Sequence, residues 1–274
     1  MRKIENISNI NWDEIWKNEL KDRPKIKKDW NDVADKFGKW IEDDDYPTKL
    51  LEYIKVEPTD SVLDLGCGEG TITIPLSKKC ASLLGVDKSD KMLNHLKNKI
   101  QEEHLDNISL LCDDIFNLDK SVIGSYDIIV ASRSVSGTYN MKELLSTLND
   151  MADKSVYITF YGPDNKKEAK KALEFIGEDF EEKIPHYSVI FNLLVSMGIN
   201  PNVANLECES VKSYDTFKEA VERFKWKIKD LDKSKEKELN DYLKTVFIKN
   251  DEGKWENPND KGDWVLIWWN KKEN

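Results

Sequence analysis

The stretch that most constrains the fold is residues 62–70, which read Val-Leu-Asp-Leu-Gly-Cys-Gly-Glu-Gly. An apolar strand passes through an acidic residue, Asp64, and runs into glycines at three alternate positions, Gly66, Gly68 and Gly70. Glycine has no Cβ and tolerates positive φ, so the chain can turn sharply here and a ligand can approach its backbone. A helix beginning near Gly70 would direct free N–H groups at that ligand. The stretch predicts a strand-to-helix turn that binds a nucleotide-like ligand, although a tight turn without a ligand would use the same glycines.

The spacing of the glycines separates the classes of nucleotide that use such a turn. The dinucleotide fingerprint is G-x-G-x-x-G/A, but here its last position holds Thr71 and the third glycine comes one residue early. The charge of Asp64 would repel a pyrophosphate and suits a cation, such as the ammonium of a methionine moiety. In this motif the chain resembles the class I S-adenosylmethionine-dependent methyltransferases, whose first motif has the same acid and glycine pattern. The resemblance implies S-adenosylmethionine as the cofactor, with Cys67 of the loop among its contacts.

A second short strand, residues 82–87, ends in another acid, Asp87, about 20 residues downstream of the glycines. A carboxylate at this place can accept hydrogen bonds from both hydroxyls of a ribose. An aspartate there could also cap the next helix, but Ser89 already provides a good cap. The resemblance adds Lys88 and Met92 to the cofactor contacts, while helical spacing favours core packing for Met92.

A third strand, residues 108–112, is followed by two acids, Asp113 and Asp114. In the family that the chain resembles, an acid at this strand end accepts a hydrogen bond from the adenine amino group, and the next backbone N–H contacts the ring. Asp114 followed by Ile115 fits that pattern slightly better than Asp113 does. The alternative is a solvated pair of acids at a strand end.

A fourth strand, residues 126–131, leads into Ser132, Arg133 and Ser134. The resemblance implies that this strand end faces the transferred methyl group, with Ser132 near the cofactor. The family's Asn/Asp-Pro-Pro-Tyr motif is absent, which argues against a DNA adenine or glutamine-type methyltransferase. Arg133 could clamp a substrate carboxylate through two hydrogen bonds, or form an ordinary salt bridge.

No residue carries the signature of a catalytic base. In the family that the chain resembles, the protein mainly aligns the nucleophile, the methyl group and the sulfur, and covalent catalysis contributes little. Besides Arg133, the candidates for catalytic or substrate contacts are Tyr46, Tyr139, Tyr161 and His186. His186 could act as a base, but a surface loop position is the alternative for it.

Composition excludes several classes of protein. A net charge of −10 works against binding a phosphate backbone, and no apolar run is long enough to span a membrane. There is no signal-peptide pattern. The 4 cysteines are scattered and the 3 histidines lack the spacing of metal ligands, so we expect reduced thiols in the cytoplasm and no metal.

Along the chain, strands alternate with helices from about residue 60 to residue 161, which is typical of a parallel doubly wound sheet. Residues 1–56 are predicted to form a helical cap, in which apolar residues repeat at helical spacing from Trp30 to Ile41. Residues 57–274 would form the cofactor-binding domain. A sixth strand is expected at 204–211, a helical insertion at about 212–262, and a last, antiparallel strand at 264–269. The expected fold is α/β and Rossmann-like, with a seven-stranded sheet.

The leading hypothesis is a methyltransferase that moves the methyl group of S-adenosylmethionine to a small-molecule acceptor and releases S-adenosylhomocysteine. A protein or RNA methyltransferase is the first alternative. A nicotinamide-dependent oxidoreductase and a non-catalytic S-adenosylmethionine sensor are the others. The sequence does not indicate the acceptor atom or the oligomeric state.

Overall fold

The computed structural model describes residues 10–21, 30–32, 34, 44–180, 184–225, 227–228 and 231–271. Most of the helix predicted between Trp30 and Ile41 lies outside these residues. The division into a cap and a cofactor-binding domain therefore stays a prediction. Among the described residues, no helix is both long and apolar enough to cross a membrane.

One mixed sheet forms the core, built from runs of Val, Ile and Leu that are buried on both faces. The strands are β1 Ser61–Leu65, β2 Ser82–Asp87, β3 Ile108–Cys112, β4 Tyr126–Ala131, β5 Ala152–Tyr161, β6 Asn202–Tyr214, β7 Ile248–Lys249 and β8 Trp255–Asn270. Their order is β3-β2-β1-β4-β5-β8-β6, and β7 pairs with the start of β8. Strands β1 to β5 are parallel, whereas β8 runs antiparallel to β5 and β6. The predicted doubly wound sheet is confirmed, with β7 as an additional short strand.

Helices cover both faces of this sheet. In the described residues they are α1 Trp12–Lys21, α2 Tyr46–Leu51, α3 Thr73–Ser77, α4 Asp90–Glu102, α5 Lys120–Ile123, α6 Met141–Met151, α7 Lys167–Phe175, α8 Tyr187–Ser196, α9 Phe217–Lys225 and α10 Glu236–Val246, with 3-10 turns at Trp30–Asp32 and Lys233–Lys235. Successive side chains of a strand point to opposite faces. In β4, Ile129 packs with α1, α6 and α8, whereas Ile128 packs with α2 and α3. Each central strand therefore contributes to two apolar layers.

The helical insertion predicted before the last strand contains two helices, α9 and α10. Together with α7 they form a small separate core, which includes Ala172, Val221, Phe224 and Leu243. Apolar periodicity does not predict α7, because the only apolar side chains that its lysine-rich sequence buries are Ala169 and Ala172. Tertiary packing against its neighbours stabilises a helix whose own pattern is weak.

The last strand begins earlier than its apolar run predicts, at Trp255 instead of Trp264. Residues 255–263 are polar and include glycine and proline, so their composition indicates a loop. In the folded protein their backbone pairs with the extended end of β6 and with β7. Residues 250–254 accordingly form a hairpin connection from β7 to β8. These pairings join segments that are far apart in sequence, so no local sequence pattern predicts them.

The carboxyl ends of β1, β2, β3 and β4 lie at one edge of the sheet, because these strands are parallel and adjacent. The strand order reverses direction between β1 and β4, which makes this a topological switch point. Ligands of open α/β sheets bind in the crevice outside the strand ends at such a point. The loops that follow these four strands therefore form the candidate site.

Candidate functional site

The glycine loop follows β1 and has the backbone conformation that the motif predicts. Gly66, Gly68 and Gly70 have φ values of 72°, 54° and 91°. A Cβ on Gly66 would lie 2.3 Å from the Cβ of Ser134, and one on Gly70 would lie 2.3 Å from Cδ1 of Leu96. A Cβ on Gly68 would meet no atom within 4 Å. Two glycines are thus required by packing, while the middle one faces open space that a ligand could fill.

The helix after this loop begins at Thr73, three residues later than expected, and contains only 5 residues. The N–H groups of Gly66 and Cys67 both donate to the carbonyl of Val86, at 2.7 and 3.1 Å. These bonds attach the loop to the end of β2. The loop is consequently held by the neighbouring strand more than by the short helix.

Asp87, at the end of β2, is half-buried beside the glycine loop. Its Oδ2 accepts a hydrogen bond from the N–H of Gly68 at 2.9 Å, and its Oδ1 accepts one from the N–H of Ser89 at 2.9 Å. Ser89 caps α4 by accepting from the N–H of Met92, as predicted, so Asp87 is not needed as the cap. Each carboxylate oxygen has a second lone pair. Asp87 can therefore accept two further hydrogen bonds, while its neighbour Lys88 is exposed.

Asp64 is 1% exposed and lies on β1, just before the glycine loop. Its Oδ2 accepts a hydrogen bond of 2.6 Å from the hydroxyl of Thr73. Burial raises the pKa of Asp64 to about 7, and the charge of Asp87 adds to this, while the bond from Thr73 opposes it. A cation beside Asp64 would favour its charged form and lower that pKa.

Two predicted cofactor contacts turn their side chains into the core. The Sγ of Cys67 lies 3.1 Å from the position that a Cβ on Gly85 would take. Burial raises the pKa of the Cys67 thiol, which stays neutral. Met92 is 2% exposed. For Cys67, the groups left to meet a ligand are those of the backbone.

The acids after β3 lie close to Asp87, because the N–H of Asp113 donates to the Asp87 carbonyl at 3.1 Å. The Asp113 side chain is exposed, Asp114 is half-buried and Ile115 is buried. Asp113 accepts from the N–H of Asp114 at 2.7 Å, and Asp114 accepts from the N–H of Phe116 at 3.1 Å. The two carboxylates stabilise their own turn and keep further acceptor capacity.

At the end of β4 the structure brings together three hydroxyl groups. The Tyr46 hydroxyl, on α2, lies 2.7 Å from Oγ of Ser132 and 2.6 Å from Oγ1 of Thr159. Tyr46 is fully buried, which raises the pKa of its phenol. Thr159 also accepts from the backbone N–H of Arg133 at 2.9 Å. The sequence indicated Tyr46 and Ser132, but not Thr159, because its position on β5 beside them depends on sheet register.

Arg133 forms a salt bridge within the chain, one of the two roles expected for it. Its Nη1 lies 2.8 Å from Oδ2 of Asp44, and the two side chains are 18% and 9% exposed. The residue has a φ of 56°, in the left-handed region. Its guanidinium carbon is 4.0 Å from the ring centroid of Tyr46 and 5.4 Å from that of Trp264. Asp44 therefore accepts the hydrogen bond from Nη1 that a substrate carboxylate could otherwise accept.

Trp264 and Tyr161 form an aromatic wall beside Arg133. They are paired across β8 and β5, and their rings stack with centroids 5.0 Å apart. Both are half-buried. Tyr161 was a candidate from its place after β5, whereas Trp264 was not, because only the antiparallel pairing with β5 brings it to this edge.

The other two catalytic candidates have different partners. Tyr139 is 55% exposed, and the ammonium of Lys17 lies 5.8 Å from its ring centroid. His186 is exposed and caps α8, with its Nδ1 at 2.8 Å from Oγ of Ser188. Within the described residues, no group of three or more His, Cys, Asp or Glu side chains could hold a metal ion.

One polar atom between the two parts of the site lacks a partner. The buried Oγ of Ser134 has no hydrogen bond within the described part of the chain, and Ser134 packs against Gly66. An unsatisfied buried hydroxyl is rare in a folded protein and is explained when a ligand satisfies it. The open glycine loop, the acceptor oxygens of Asp87 and this hydroxyl together fit a ligand with a ribose, an amine and a positive charge.

Comparison with known proteins assigns residues 62–154, about a third of the chain. Residues 62–154 match a family model described as a methyltransferase domain. An uncharacterized protein from Haemophilus influenzae is 28% identical over 232 residues, which are 82% of this chain and 81% of that protein. A probable ribosomal RNA small subunit methyltransferase A from Methanosphaera stadtmanae is 30% identical over 37% of this chain and 36% of its own.

Two further proteins are similar over more than half of this chain. A probable cobalt-precorrin-6B C(15)-methyltransferase from Methanococcus vannielii is 24% identical over 54% of this chain and 74% of its own. The crystal structure of YcgJ from Bacillus subtilis has the same fold, with a TM-score of 0.54, 13% identity, and coverage of 84% of this chain and 99% of that one. Residues 62–154 are therefore the domain of a class I S-adenosylmethionine-dependent methyltransferase.

Proposed function

We propose that this enzyme methylates a small-molecule acceptor, bound between the glycine loop and the cluster around Tyr46. The observation that carries this proposal is the contact between Gly66 and Ser134. It joins the loop suited to the cofactor directly to the end of β4, where Ser132, Arg133 and Tyr46 lie. An acceptor held by that cluster would be next to the cofactor.

The positions of these residues in the four loops support the following proposed contacts with S-adenosylmethionine. Asp87 would accept from the ribose hydroxyls, and Asp64 would stabilise the positive charge of the methionine part. Asp114, with the N–H of Ile115, would contact the adenine, with Asp113 as the alternative acid. The other proposed contacts are the backbone from Gly66 through Cys67 and Gly68 to Gly70, together with Lys88, Met92 and Ser132.

The bound cofactor supplies a methyl group on a sulfonium, which is a strong leaving group. The protein then has to hold the acceptor in line with the methyl group and exclude water. The Tyr46 phenol stays protonated at physiological pH because burial raises its pKa. It therefore acts as a hydrogen-bonding group toward Ser132 and Thr159 and not as a base. A base is needed only for an acceptor that arrives protonated.

A small acceptor is favoured over RNA by the charge of the site. Besides Asp44, which Arg133 neutralises, the loops at this edge carry four carboxylates, on Asp45, Asp87, Asp113 and Asp114, in a chain of net charge −10. Such a surface repels a phosphate backbone. The likeness to the ribosomal RNA methyltransferase spans only 37% of the chain, so it says little about the acceptor. A protein or RNA substrate remains the second candidate.

We further propose that the enzyme works in the cytoplasm. Cys67, Cys80 and Cys208 are buried free thiols, which suits a reducing compartment.

The test is to follow a labelled methyl group from S-adenosylmethionine into a cell extract separated into metabolite, RNA and protein fractions. Label should enter the metabolite fraction and require intact Asp87, with Asp90→Ala, an exposed acid three positions after the strand end, as the matched control. Label found only in the RNA or protein fraction would contradict a small acceptor.

A further inference from the structure

Three hydroxyl groups at the carboxyl end of β4 form a hydrogen-bonded cluster in which the protons can be counted. The Tyr46 hydroxyl lies between the other two, 2.7 Å from Oγ of Ser132 and 2.6 Å from Oγ1 of Thr159. Each hydroxyl carries one proton and two lone pairs. Three protons are thus shared between two hydrogen bonds, so one hydroxyl proton is left to find an acceptor outside the cluster.

The backbone of Arg133 determines which hydroxyl keeps the spare proton. Its N–H donates to Oγ1 of Thr159 at 2.9 Å and uses one of the lone pairs there. Thr159 is 2% exposed, and within the described residues its hydroxyl has no acceptor besides Tyr46. A buried hydroxyl proton without an acceptor costs free energy, so Thr159 donates to Tyr46, and Tyr46 in turn donates to Ser132. The spare proton therefore belongs to Ser132.

Ser132 is placed to give this proton to a bound molecule. It is half-buried, directly after β4, and its Oγ makes no hydrogen bond except that with Tyr46 in the part of the chain that the structure describes. Ligands of open α/β sheets bind outside such strand ends. A proton at this position that lacks a protein acceptor suits a ligand that brings a lone pair.

A second donor group lies beside the cluster. The Arg133 guanidinium uses Nη1 for Asp44, and it has further N–H donors and no acceptor. Its central carbon is 4.0 Å from the ring centroid of Tyr46, which is itself 5.5 Å from that of Trp264 in the aromatic wall. A molecule lying on that wall would therefore meet hydrogen-bond donors at its edge, while the carboxylate of Asp44 is already paired.

We propose that Ser132 donates a hydrogen bond to the methyl acceptor, which presents a carbonyl or carboxylate oxygen on a flat apolar body. This inference rests on the proposed function and names the class of the acceptor. The oxygen is one beside the methylated atom, because a hydrogen bond to the reacting lone pair would be lost in the transition state. Tyr46 is fully buried, so it is a positioning residue that directs the Ser132 proton outward and does not touch the acceptor.

The experiment measures by calorimetry how three small probes bind to the full chain saturated with S-adenosylhomocysteine. Benzamide presents a neutral carbonyl, benzoate presents a carboxylate, and benzylamine has a similar shape but only donors at neutral pH. Both oxygen probes should bind about tenfold or more tightly than benzylamine, which would leave the Ser132 proton unpaired. The tighter of the two oxygen probes shows whether the site suits a carbonyl or a carboxylate.

Variants distinguish a directed proton from a loss of structure. Ser132→Ala should weaken both oxygen probes by about threefold to tenfold and leave benzylamine unchanged, whereas Ser132→Thr keeps a hydroxyl and should restore the preference. Tyr46→Phe should reduce the preference by about threefold, because the Ser132 hydroxyl loses the bond that orients it. Ser155→Ala is the matched control, since its hydroxyl bonds to Asn270 near the amino end of β5, and it should bind the probes like wild type.

Three results would overturn the inference. They are equal affinity of wild type for benzamide and benzylamine, no binding of either oxygen probe, and a preference for oxygen that is unchanged in Ser132→Ala or Tyr46→Phe. A general loss of structure would weaken all three probes alike and would therefore count among these results.

Affinity for S-adenosylhomocysteine, measured first on each variant, separates this inference from the proposed function. Ser132→Ala should bind it within about threefold of wild type. A loss of tenfold or more, with the preference for oxygen unchanged, would show that the hydroxyl serves the cofactor, and the inference fails while the proposed function stands. If wild type does not bind S-adenosylhomocysteine, the proposed function fails, whereas a Ser132-dependent preference for benzamide by the chain alone would still support the directed donor.

Discussion

Replacing Asp64 with asparagine changes how the stability of the ligand-free protein depends on pH. Asp64 is buried, and its pKa rises from an ordinary 3.8 to about 7. Between these values the native state binds a proton that the unfolded state has lost, so the free energy of unfolding falls as pH rises through this window. Above about pH 7 the full cost of the buried charge is present. Asparagine has no charge to bury, so the variant should lack this dependence.

The size of the effect follows from the width of that window. Each pH unit is equivalent to about 1.4 kcal/mol, so the buried charge costs about 4 kcal/mol above neutral pH. Between pH 5 and pH 8 the difference in unfolding free energy between variant and wild type should grow by about 2–3 kcal/mol, in favour of the variant. Asparagine keeps an oxygen for the Thr73 hydroxyl, and its unmatched amide protons would cost about 1–3 kcal/mol at every pH. The slope with pH is therefore the informative quantity.

The assay is urea unfolding of the cofactor-free chain at several pH values from 5 to 8. Asp113→Asn is the matched control, since it makes the same change at an exposed strand end. Its difference from wild type should not change with pH in the same way. A constant difference between Asp64→Asn and wild type across this range would refute the reasoning that Asp64 is a buried acid of raised pKa.

Three further predictions concern the loops of the site. Asp87→Ala should weaken S-adenosylhomocysteine binding, measured by calorimetry, by about 1–3 kcal/mol through lost charge-assisted hydrogen bonds, and unchanged affinity would disprove the ribose assignment. Tyr46→Phe should lower the unfolding free energy by about 1–2 kcal/mol in urea, because two neighbouring hydroxyls lose their partner; no loss would show that they rebond elsewhere. Gly70→Ala should lower it by about 1–3 kcal/mol, since its φ is 91° and the new Cβ would meet Leu96, and a variant as stable as wild type would contradict this geometry.

The parts of the site predicted well from sequence are those built by consecutive residues. The strand, the glycine turn and the cap at Ser89 each depend on neighbours within a few positions, so their conformation is encoded locally. The N–H of Gly68 donating to Asp87 follows from the adjacency of two parallel strands, which alternating strands and helices already predict.

The parts that sequence reasoning missed depend on residues distant along the chain. Trp264 reaches the site because β8 pairs antiparallel with β5, and Thr159 joins Tyr46 through the register of β5 beside β4. The pairing of Arg133 with Asp44 spans 89 positions, so its two expected roles were equal from sequence. The polar residues 255–263 become strand only because β6 and β7 supply partners for their backbone.

By itself the sequence determined the class of fold and the cofactor loop. Hydrophobic periodicity and the conformational freedom of glycine act over a few residues, so the conformation of residues 62–70 is encoded locally. The tertiary structure decided which side chains surround the proposed acceptor site. It alone set the burial that raises the pKa of Asp64, the hydroxyl cluster around Tyr46 and the aromatic wall beside Arg133. Desolvation and charge coupling depend on neighbours brought together by folding, and these are properties that no local pattern contains.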